Sequence, residues 1–431
     1  MTTATAFNPF SVRKTTSGTG MRIVTSKMPG THSVTISAFV LVGSRYETLE
    51  LSGISHFIEH LVFKGTERRP TPEKISSVIE GVGGEINAGT EQELTVYWCK
   101  VPGDHLPESL DLVLDMLRNS IYAEEELERE KGVILEEQSM INDYPHQKVE
   151  MMLDNLLWPN HPLGRDISGT PESVTSLTRN MVLDYVQHFY TPANVVLSVA
   201  GDIDHDGVVE QVEGICAGWE SRPAPNWIPF TTDQSDSQVC IEYRNTGQSN
   251  IAIGFPGLSY THPQRHALDL LSIILGEGMS SRLFLEIREK QGLAYDVFST
   301  TSHFLDCGAF IIAAGVDPKK VYVTTSTLMN EIGRLADGIT EDELARAKIM
   351  SAGRLLLSLE GTRAISSWIG GQEALLGQIS DVATVTQAIN AVSLEDIFQI
   401  ATDLLRTDRL NLAVVGPHRG KARFQKEMRL H

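Results

Sequence analysis

The alternation of apolar and polar residues predicts a chain built from strands and helices. Apolar, β-branched runs predict strands, and apolar residues that recur at helical spacing predict helices. In the first half, strands are predicted over 21–25, 34–42, 85–88, 93–101 and 194–200. Helices are predicted over 55–63, 72–82, 105–119, 124–142, 145–157 and 205–217. Strands followed by helices and a returning strand indicate the α+β class, with a mixed, largely antiparallel sheet packed against helices.

The chain is long enough for two domains, and a proline-rich stretch separates them. At 431 residues a single hydrophobic core is not expected. Residues 219–236 contain three prolines among several serines, threonines and aspartates, a composition typical of a linker. We therefore divide the chain into a first domain, 1–218, and a second domain, 237–431.

Two histidines and a glutamate share the short helix predicted over 55–63. His56 and His60 are four residues apart, so their imidazoles lie on the same helix face, and Glu59 is beside them. Two imidazoles on one face are the usual start of a zinc site, and a neighbouring carboxylate can take a proton from the water that the metal activates. The alternative is that all three are polar residues of an exposed helix surface.

The helix predicted over 124–142 supplies two further acids. On a helical wheel, five residues share one largely apolar face: Glu130, Val133, Ile134, Glu137 and Ile141. Glu136 points away from this apolar, core-facing stripe. Because a buried carboxylate is costly unless it is paired or binds metal, we predict that Glu137 is the third zinc ligand and that Glu130 supports the site. The alternative is a helix rolled so that both acids reach solvent.

The second half repeats the first without the metal-binding residues. Ser249–Ile253 resembles Ser33–Ser37, and Glu343–Lys348 resembles Glu126–Lys131. In that register Ala347 replaces Glu130, and Arg354 replaces Glu137. The second domain is therefore predicted to be a homologous copy that cannot build the site.

Charge and cysteine content limit the partners and the compartment. The net charge is −19, from 36 basic and 55 acidic side chains, which disfavours a nucleic-acid partner and would attract a basic substrate. The same acidity could serve solubility alone. Four cysteines without a C-x-x-C pair indicate reduced thiols. No apolar run is long enough to span a membrane, and the N-terminus lacks a secretory signal. We expect a cytoplasmic protein with no membrane partner.

The motif H-x-x-E-H, followed by a glutamate 77 residues further on, resembles the pitrilysin family of zinc peptidases (inverzincins). That family includes insulin-degrading enzyme and the mitochondrial processing peptidase. Other stretches match it in order: Gly43–Arg45, Phe63–Thr66, Gly83–Ala88, Glu130, Gly278–Leu283, Arg288 and Tyr295. The size and two-part layout are most similar to the short bacterial members and to the β subunit of the processing peptidase.

This resemblance implies a zinc endopeptidase with one zinc ion per chain. The ion would be held by His56, His60 and Glu137. Glu59 would remove a proton from the attacking water and return it to the leaving amine. Glu130 would be a further catalytic residue of the site formed by Glu59 and the zinc ligands.

The resemblance also implies how peptides would be bound. Gly83–Ala88 would form an edge strand to which an extended peptide adds, with Asn87 and Ala88 in contact with it. Arg288 would hold the substrate backbone, and Tyr295 would donate a hydrogen bond to the developing oxyanion. Two short chains would form a closed chamber, as a homodimer or with a paralogous partner chain.

Two other functions stay open. Some relatives have lost catalysis and serve as non-degradative partner or assembly subunits, although the intact zinc residues argue against that role here. The chain could also be a dedicated peptidase that processes one precursor.

Overall fold

The computed structural model describes residues 11–232 and 234–430, which form two compact units. Among these residues, unit 1 contains 11–138, 166–228 and 355–383. Unit 2 contains 139–165, 229–354 and 384–430. No helix in the described part of the chain has the length and apolarity needed to cross a membrane.

A six-stranded mixed sheet forms the centre of unit 1. Its strands are β1 (Ser11–Thr16), β2 (Arg22–Lys27), β3 (Ser33–Val40), β4 (Glu85–Thr90), β5 (Thr95–Pro102) and β6 (Val195–Gly201), in the spatial order β1-β2-β6-β3-β5-β4. All neighbouring strands are antiparallel except β2 and β6, which are parallel. The sequence patterns missed β1, whose largely exposed and polar residues give no apolar signal.

A five-stranded sheet in unit 2 has the same order without an equivalent of β1. Its strands are β7 (Gln238–Tyr243), β8 (Ser249–Pro256), β9 (Ala294–His303), β10 (Gly308–Val316) and β11 (Asn411–Gly416), in the order β7-β11-β8-β10-β9. Here the parallel pair is β7 and β11. The prediction of a repeated α+β domain with a largely antiparallel sheet is confirmed.

Every helix predicted in the first half is present, and the structure adds two that the sequence patterns missed, Pro171–Ser176 and Arg179–Phe189. In chain order they are α1 (Ile54–Val62), α2 (Pro72–Glu80), α3 (Leu106–Asn119), α4 (Glu124–Asp143), α5 (Pro145–Leu157), α6 (Pro171–Ser176), α7 (Arg179–Phe189), α8 (His205–Ile215), α9 (Arg265–Gly276), α10 (Val321–Asp337), α11 (Glu341–Ser358), α12 (Thr362–Leu376), α13 (Val382–Ala391), α14 (Leu394–Leu404) and α15 (Ala422–Glu427). A π-helix, Phe284–Lys290, precedes β9.

Each unit contains one helix that comes from the opposite half of the sequence. In unit 1, α12 packs on β2, β3 and β6. Its Ser366 hydroxyl donates to Ser37 at 2.9 Å, and Ser198 donates to the Ser366 carbonyl at 2.8 Å. In unit 2, α5 packs on β8 and β11. The compact units are therefore discontinuous in the chain.

Part of the predicted linker packs firmly on unit 1. The guanidinium of Arg45, which is fully buried, lies 4.1 Å from the centre of the Trp227 ring. Its Nε donates to the Ile228 carbonyl at 3.1 Å, and its Nη1 pairs with Glu93 at 2.5 Å. A buried Arg–carboxylate pair requires this kind of close hydrogen bonding to offset desolvation. The stretch through Ile228 is thus a fixed part of unit 1.

Candidate metal centre

The start of α1 is fixed by a buried carboxylate. Gly53 adopts a left-handed conformation with φ of 93°, which glycine tolerates without a Cβ clash. Glu47 accepts hydrogen bonds from the backbone N–H of Gly53 at 2.8 Å and of Ser55 at 2.9 Å. These are donors that a helix N-terminus leaves unpaired, and a negative charge there is favourable. Sequence reasoning assigned Glu47 no such role.

One face of α1 is buried and the other carries the predicted chemistry. Phe57, Ile58 and Leu61 are at most 1% exposed and belong to the core of unit 1. Burial of each such side chain stabilises the fold by about 1.5–3 kcal/mol. The apolar face sets the rotation of the helix, so His56 and His60 remain together on the partly accessible side.

The structure brings Glu137 to these two histidines. Its Oε2 lies 3.7 Å from the Nε2 of His56 and 3.7 Å from the Nε2 of His60. One ligand atom from each of the three residues lies within 4.8 Å of the others. A tetrahedral zinc ion with bonds of about 2.0–2.1 Å separates its ligand atoms by about 3.4 Å, so the three side chains fit zinc with small adjustments.

Burial favours the neutral, metal-binding form of His56. Burial, with a smaller contribution from the nearby His60, lowers the pKa of His56 to about 4. A neutral imidazole has the free lone pair that a metal requires. The Nδ1 of His56 is buried and has no hydrogen-bond partner among the described residues.

His60 is oriented by Glu130, which also contacts a lysine. The Nδ1 of His60 lies 3.1 Å from Oε2 of Glu130, and Lys64 Nζ lies 2.7 Å from Oε1 of the same carboxylate. Glu130 is 3% exposed, so it faces inward as predicted, whereas Glu136 is exposed. The prediction for Val133 is wrong: it is 46% exposed, because α4 buries Leu127, Glu130, Ile134 and Gln138 instead.

Glu59 lies beside the histidines and is held by a residue of β4. The Thr90 hydroxyl donates to Oε2 of Glu59 at 2.6 Å. Burial raises the pKa of Glu59, while the Thr90 hydrogen bond opposes that shift by stabilising the anion. Sequence reasoning missed Thr90 and the role of Lys64. Two signals pointed to Lys64: its position four residues after His60, and its place in the family-like stretch Phe63–Thr66.

Asn87 and Ala88, two of the predicted peptide-binding residues, lie on the edge strand β4. The partner strand of β4 is β5, and β4 ends the sheet order of unit 1. Asn87 is exposed, and its Oδ1 accepts the N–H of Ala88 at 2.8 Å. The amide donors of Asn87 are on Nδ2, the atom that does not take part in this contact.

Arg288 and Tyr295 are neighbours in unit 2. The guanidinium of Arg288 lies 4.6 Å from the centre of the Tyr295 ring and 4.8 Å from that of Phe284. Tyr295 is 78% exposed. Arg288 belongs to the π-helix, a rare conformation that is frequent at functional sites.

The equivalent positions of unit 2 do not form a metal site. Ala347 is buried, and Arg354 forms an ion pair with Glu277. Among the residues that the structure describes, His56, His60 and Glu137 are the one group of histidine, cysteine and acidic side chains close enough to hold a metal.

Comparisons with known proteins identify the family of this fold. Residues 22–171 match the family model for insulinase (peptidase family M16), and residues 176–350 match that for the peptidase M16 inactive domain. The chain therefore belongs to peptidase family M16, the insulinase and pitrilysin family.

Curated relatives extend the match over almost the whole chain. An uncharacterized zinc protease of Streptomyces coelicolor is 38% identical over 417 residues, which cover 95% of this chain and 90% of that protein. An uncharacterized zinc protease of Bacillus subtilis is 35% identical over 407 residues, which cover 94% and 98%.

Solved structures show the same fold. A protease from Helicobacter pylori has a TM-score of 0.89 at 22% identity and covers 94% of this chain and 99% of its own. A structure described as a peptidase M16 inactive domain, from Pseudomonas fluorescens, has a TM-score of 0.88 at 19% identity, covering 95% and 99%.

Proposed function

We propose that this protein is a zinc-dependent endopeptidase that hydrolyses peptides or unfolded segments. The main support for the proposal is one observation: the imidazoles of His56 and His60 on α1 lie close to the carboxylate of Glu137 on α4, with Glu59 beside them. In this proposal residues 1–218 are the zinc-binding domain, 219–236 the linker, and 237–431 the domain that carries Arg288 and Tyr295.

His56, His60 and Glu137 would hold one zinc ion. When bound, zinc supplies a Lewis acid that polarises the scissile carbonyl and makes a coordinated water acidic near neutral pH. The three residues are matched to this task because they provide two imidazole nitrogens and one carboxylate oxygen, the ligand types that catalytic zinc prefers.

Glu59 would act as the general base and then as the general acid. Its Oε2 accepts the Thr90 hydroxyl, so Oε1 is the atom available to take a proton from the attacking water. The same oxygen would return that proton to the leaving amine. A carboxyl pKa raised by burial brings this group closer to the pH at which general base catalysis is efficient.

The edge strand β4 would align the substrate. An extended peptide adds to a free sheet edge through main-chain hydrogen bonds, and Asn87 would donate Nδ2 to a peptide carbonyl. Because β4 also carries Thr90, the same strand would bind the peptide and orient the base.

Arg288 and Tyr295 would complete the site from unit 2. Tyr295 would donate its hydroxyl to the developing oxyanion, and Arg288, held against the Tyr295 ring, would contact the peptide backbone. We propose that a two-fold homodimer sets these residues against the zinc ligands of the partner chain and encloses the substrate.

The distribution of charge supports basic peptides as substrates. Unit 1 contains 16 basic and 32 acidic side chains, a net charge of −16, whereas unit 2 contains 20 and 23, a net charge of −3. The acidity is therefore concentrated in the unit that carries the zinc-site residues. Such a field raises the local concentration of a cationic substrate.

Digestion of a mixed peptide library tests the activity directly. Zinc-loaded protein should cleave internal peptide bonds, and Glu59→Gln should retain zinc while losing activity by about two orders of magnitude or more. Product sequencing would separate a general peptidase, with many sites, from a precursor-processing enzyme with few. Near-normal turnover by zinc-loaded Glu59→Gln would contradict the mechanism, and zinc-loaded wild type without cleavage would favour a partner subunit.

A further inference from the structure

Lys64 lies just beyond the end of the helix that carries the histidines. The backbone at Phe63 is still near-helical, with φ of −84° and ψ of −4°, and the N–H of Lys64 donates to the Leu61 carbonyl at 3.0 Å. This turn keeps Lys64 on the side of α1 that faces α4. Its amino group therefore reaches Glu130 rather than open solvent.

Glu130 uses both carboxylate oxygens within the protein. Oε1 lies 2.7 Å from Lys64 Nζ, and Oε2 lies 3.1 Å from His60 Nδ1. The side chain of Glu130 is 4% exposed and that of Lys64 is 26% exposed. A carboxylate this deeply buried needs a compensating charge, and an ion pair in such a setting is costly to break.

The contact with Glu130 fixes which nitrogen of His60 is free. An ionised carboxylate can only accept, so Nδ1 carries the proton and donates it. The lone pair is then on Nε2, which is the nitrogen that lies 3.7 Å from Glu137. A metal-binding imidazole is commonly oriented in this way through its second nitrogen.

We propose that Lys64 is a positioning residue for zinc binding, and this rests on the proposed zinc site. Lys64 neutralises Glu130 and locks its carboxylate in the orientation that selects the His60 tautomer with Nε2 free. The lysine touches neither the ligand atoms nor the substrate and acts through Glu130. Sequence order hides this link because Lys64 and Glu130 are 66 residues apart.

Another lysine near Glu130 provides a matched control. Lys131 is 12% exposed and pairs with Glu128 at 2.7 Å, but Glu128 is 63% exposed. An ion pair with a solvated carboxylate contributes little. Lys131→Met therefore removes the same charge from a neighbouring position without disturbing Glu130.

Zinc affinity, measured by competition with a chelator, is the first readout. Lys64→Met should bind zinc about tenfold more weakly than wild type, as expected for loss of an outer hydrogen-bond partner. Lys64→Arg keeps the charge and should recover most of that loss, and Lys131→Met should stay within about twofold of wild type. Equal zinc affinity of Lys64→Met and wild type would overturn the proposal.

A double-mutant cycle shows whether Lys64 acts through Glu130. In a Glu130→Gln background the carboxylate charge is gone, so adding Lys64→Met should change zinc affinity no further. If the double variant instead loses zinc affinity by the product of the two single losses, Lys64 acts independently of Glu130 and the proposal is contradicted. The double variant loses one negative and one positive charge, so it leaves no unpaired buried charge. If Lys64→Met alone folds poorly, zinc affinity can still be compared between Glu130→Gln and the double variant.

Nitrogen NMR of histidine-labelled, zinc-free protein gives a second readout. The His60 signals, assigned by their loss in His60→Ala, should report a proton on Nδ1 in wild type and a mixture of tautomers in Lys64→Met. An unchanged tautomer in Lys64→Met would overturn the proposal. Failure of wild type to bind zinc would instead contradict the proposed function, since the tautomer measurement needs no metal.

Discussion

Glu136 and Glu137 are adjacent on α4, yet their surroundings differ completely. Glu137 converges with His56 and His60, whereas Glu136 is exposed to solvent. The helix turns by about 100° per residue, so one step along the chain moves a side chain from one face to another. At the scale of single residues, helix geometry decides which acid is able to bind a metal.

This difference predicts opposite results for two isosteric substitutions. Glu137→Gln should weaken zinc binding strongly, because the neutral amide replaces an anionic ligand, while Glu136→Gln should bind zinc as wild type does. Elemental analysis of the purified variants after dialysis against a weak chelator measures the bound zinc. The ligand assignment is wrong if Glu137→Gln keeps a full zinc ion and Glu136→Gln loses it.

The residues around the proposed ligands show the limit of local patterns. The shared helix face of His56, Glu59 and His60 could be predicted from their spacing, because a helix fixes the relative direction of side chains within about one turn. Thr90 on β4, Lys64 after α1 and Glu47 before it were not assigned roles, although all three contact the site or its helix. Their contacts depend on how strands and helices pack, which a single sequence does not state.

At the scale of elements, α12 depends on one close approach to the sheet of unit 1. A Cβ at Gly370 would lie 2.3 Å from a ring carbon of Phe39 and 2.7 Å from Cβ of Ser198. No real Cβ tolerates such a distance, so α12 can pack this closely only with glycine at that position. At the next residue, Gly371, no atom outside the adjacent backbone of α12 lies within 4 Å of the equivalent point.

The neighbouring glycines therefore predict opposite effects on stability. Gly370→Ala should destabilise unit 1 by about 1–3 kcal/mol, since the added methyl group overpacks a buried contact. Gly371→Ala should be neutral or stabilising by up to about 1 kcal/mol, because alanine is the better helix former. Urea unfolding followed by circular dichroism measures both. Equal midpoints for the two variants would show that α12 does not pack on the sheet as described.

At the scale of the whole molecule, the duplicated domains have diverged in chemistry. Unit 1 has His56, His60 and Glu137, while unit 2 has Arg288 and Tyr295 and replaces the acids by Ala347 and Arg354. Neither unit alone contains all the groups that the proposed reaction uses. In the proposed homodimer, unit 1 of one chain and unit 2 of its partner would together supply these groups to one site.

Complementation tests whether Tyr295 serves the partner chain. Glu59→Gln and Tyr295→Phe homodimers should each be nearly inactive. In a mixed dimer one site carries both substitutions and the other carries neither. Random exchange makes about half of the dimers mixed, so activity should recover to roughly a quarter of wild type. If subunit exchange is demonstrated by mass spectrometry and no activity returns, the site is built within one chain.

The charge asymmetry predicts a salt dependence that differs between substrates. Raising ionic strength from about 0.05 to 0.2 M should lower kcat/KM for a basic peptide by about fivefold, because screening weakens attraction to the acidic unit 1. A neutral peptide of the same length should change by less than about twofold. An identical salt response of both peptides would show that the acidity does not select the substrate.

Most helices and strands of the first half, and the histidine helix of the candidate site, could be predicted from the amino-acid sequence. Helical periodicity put His56, Glu59 and His60 together on α1 and turned Glu130 inward on α4, because these relations follow from backbone geometry over a few residues. Glu137, which was also predicted to face inward, has a side chain that is 34% exposed where it approaches the two histidines. The repeat between the two halves could also be predicted, since strand and helix patterns recur in the same order in both.

How distant segments of the chain combine became known from the folded structure. It placed α12 on the first sheet and α5 on the second, left Val133 exposed, and joined Lys64 to Glu130 and Thr90 to Glu59. Such contacts join residues far apart in the chain, and their free energy comes from packing and charge pairing in the folded state. A local pattern of apolar and polar residues does not predict which distant residue a buried side chain will contact.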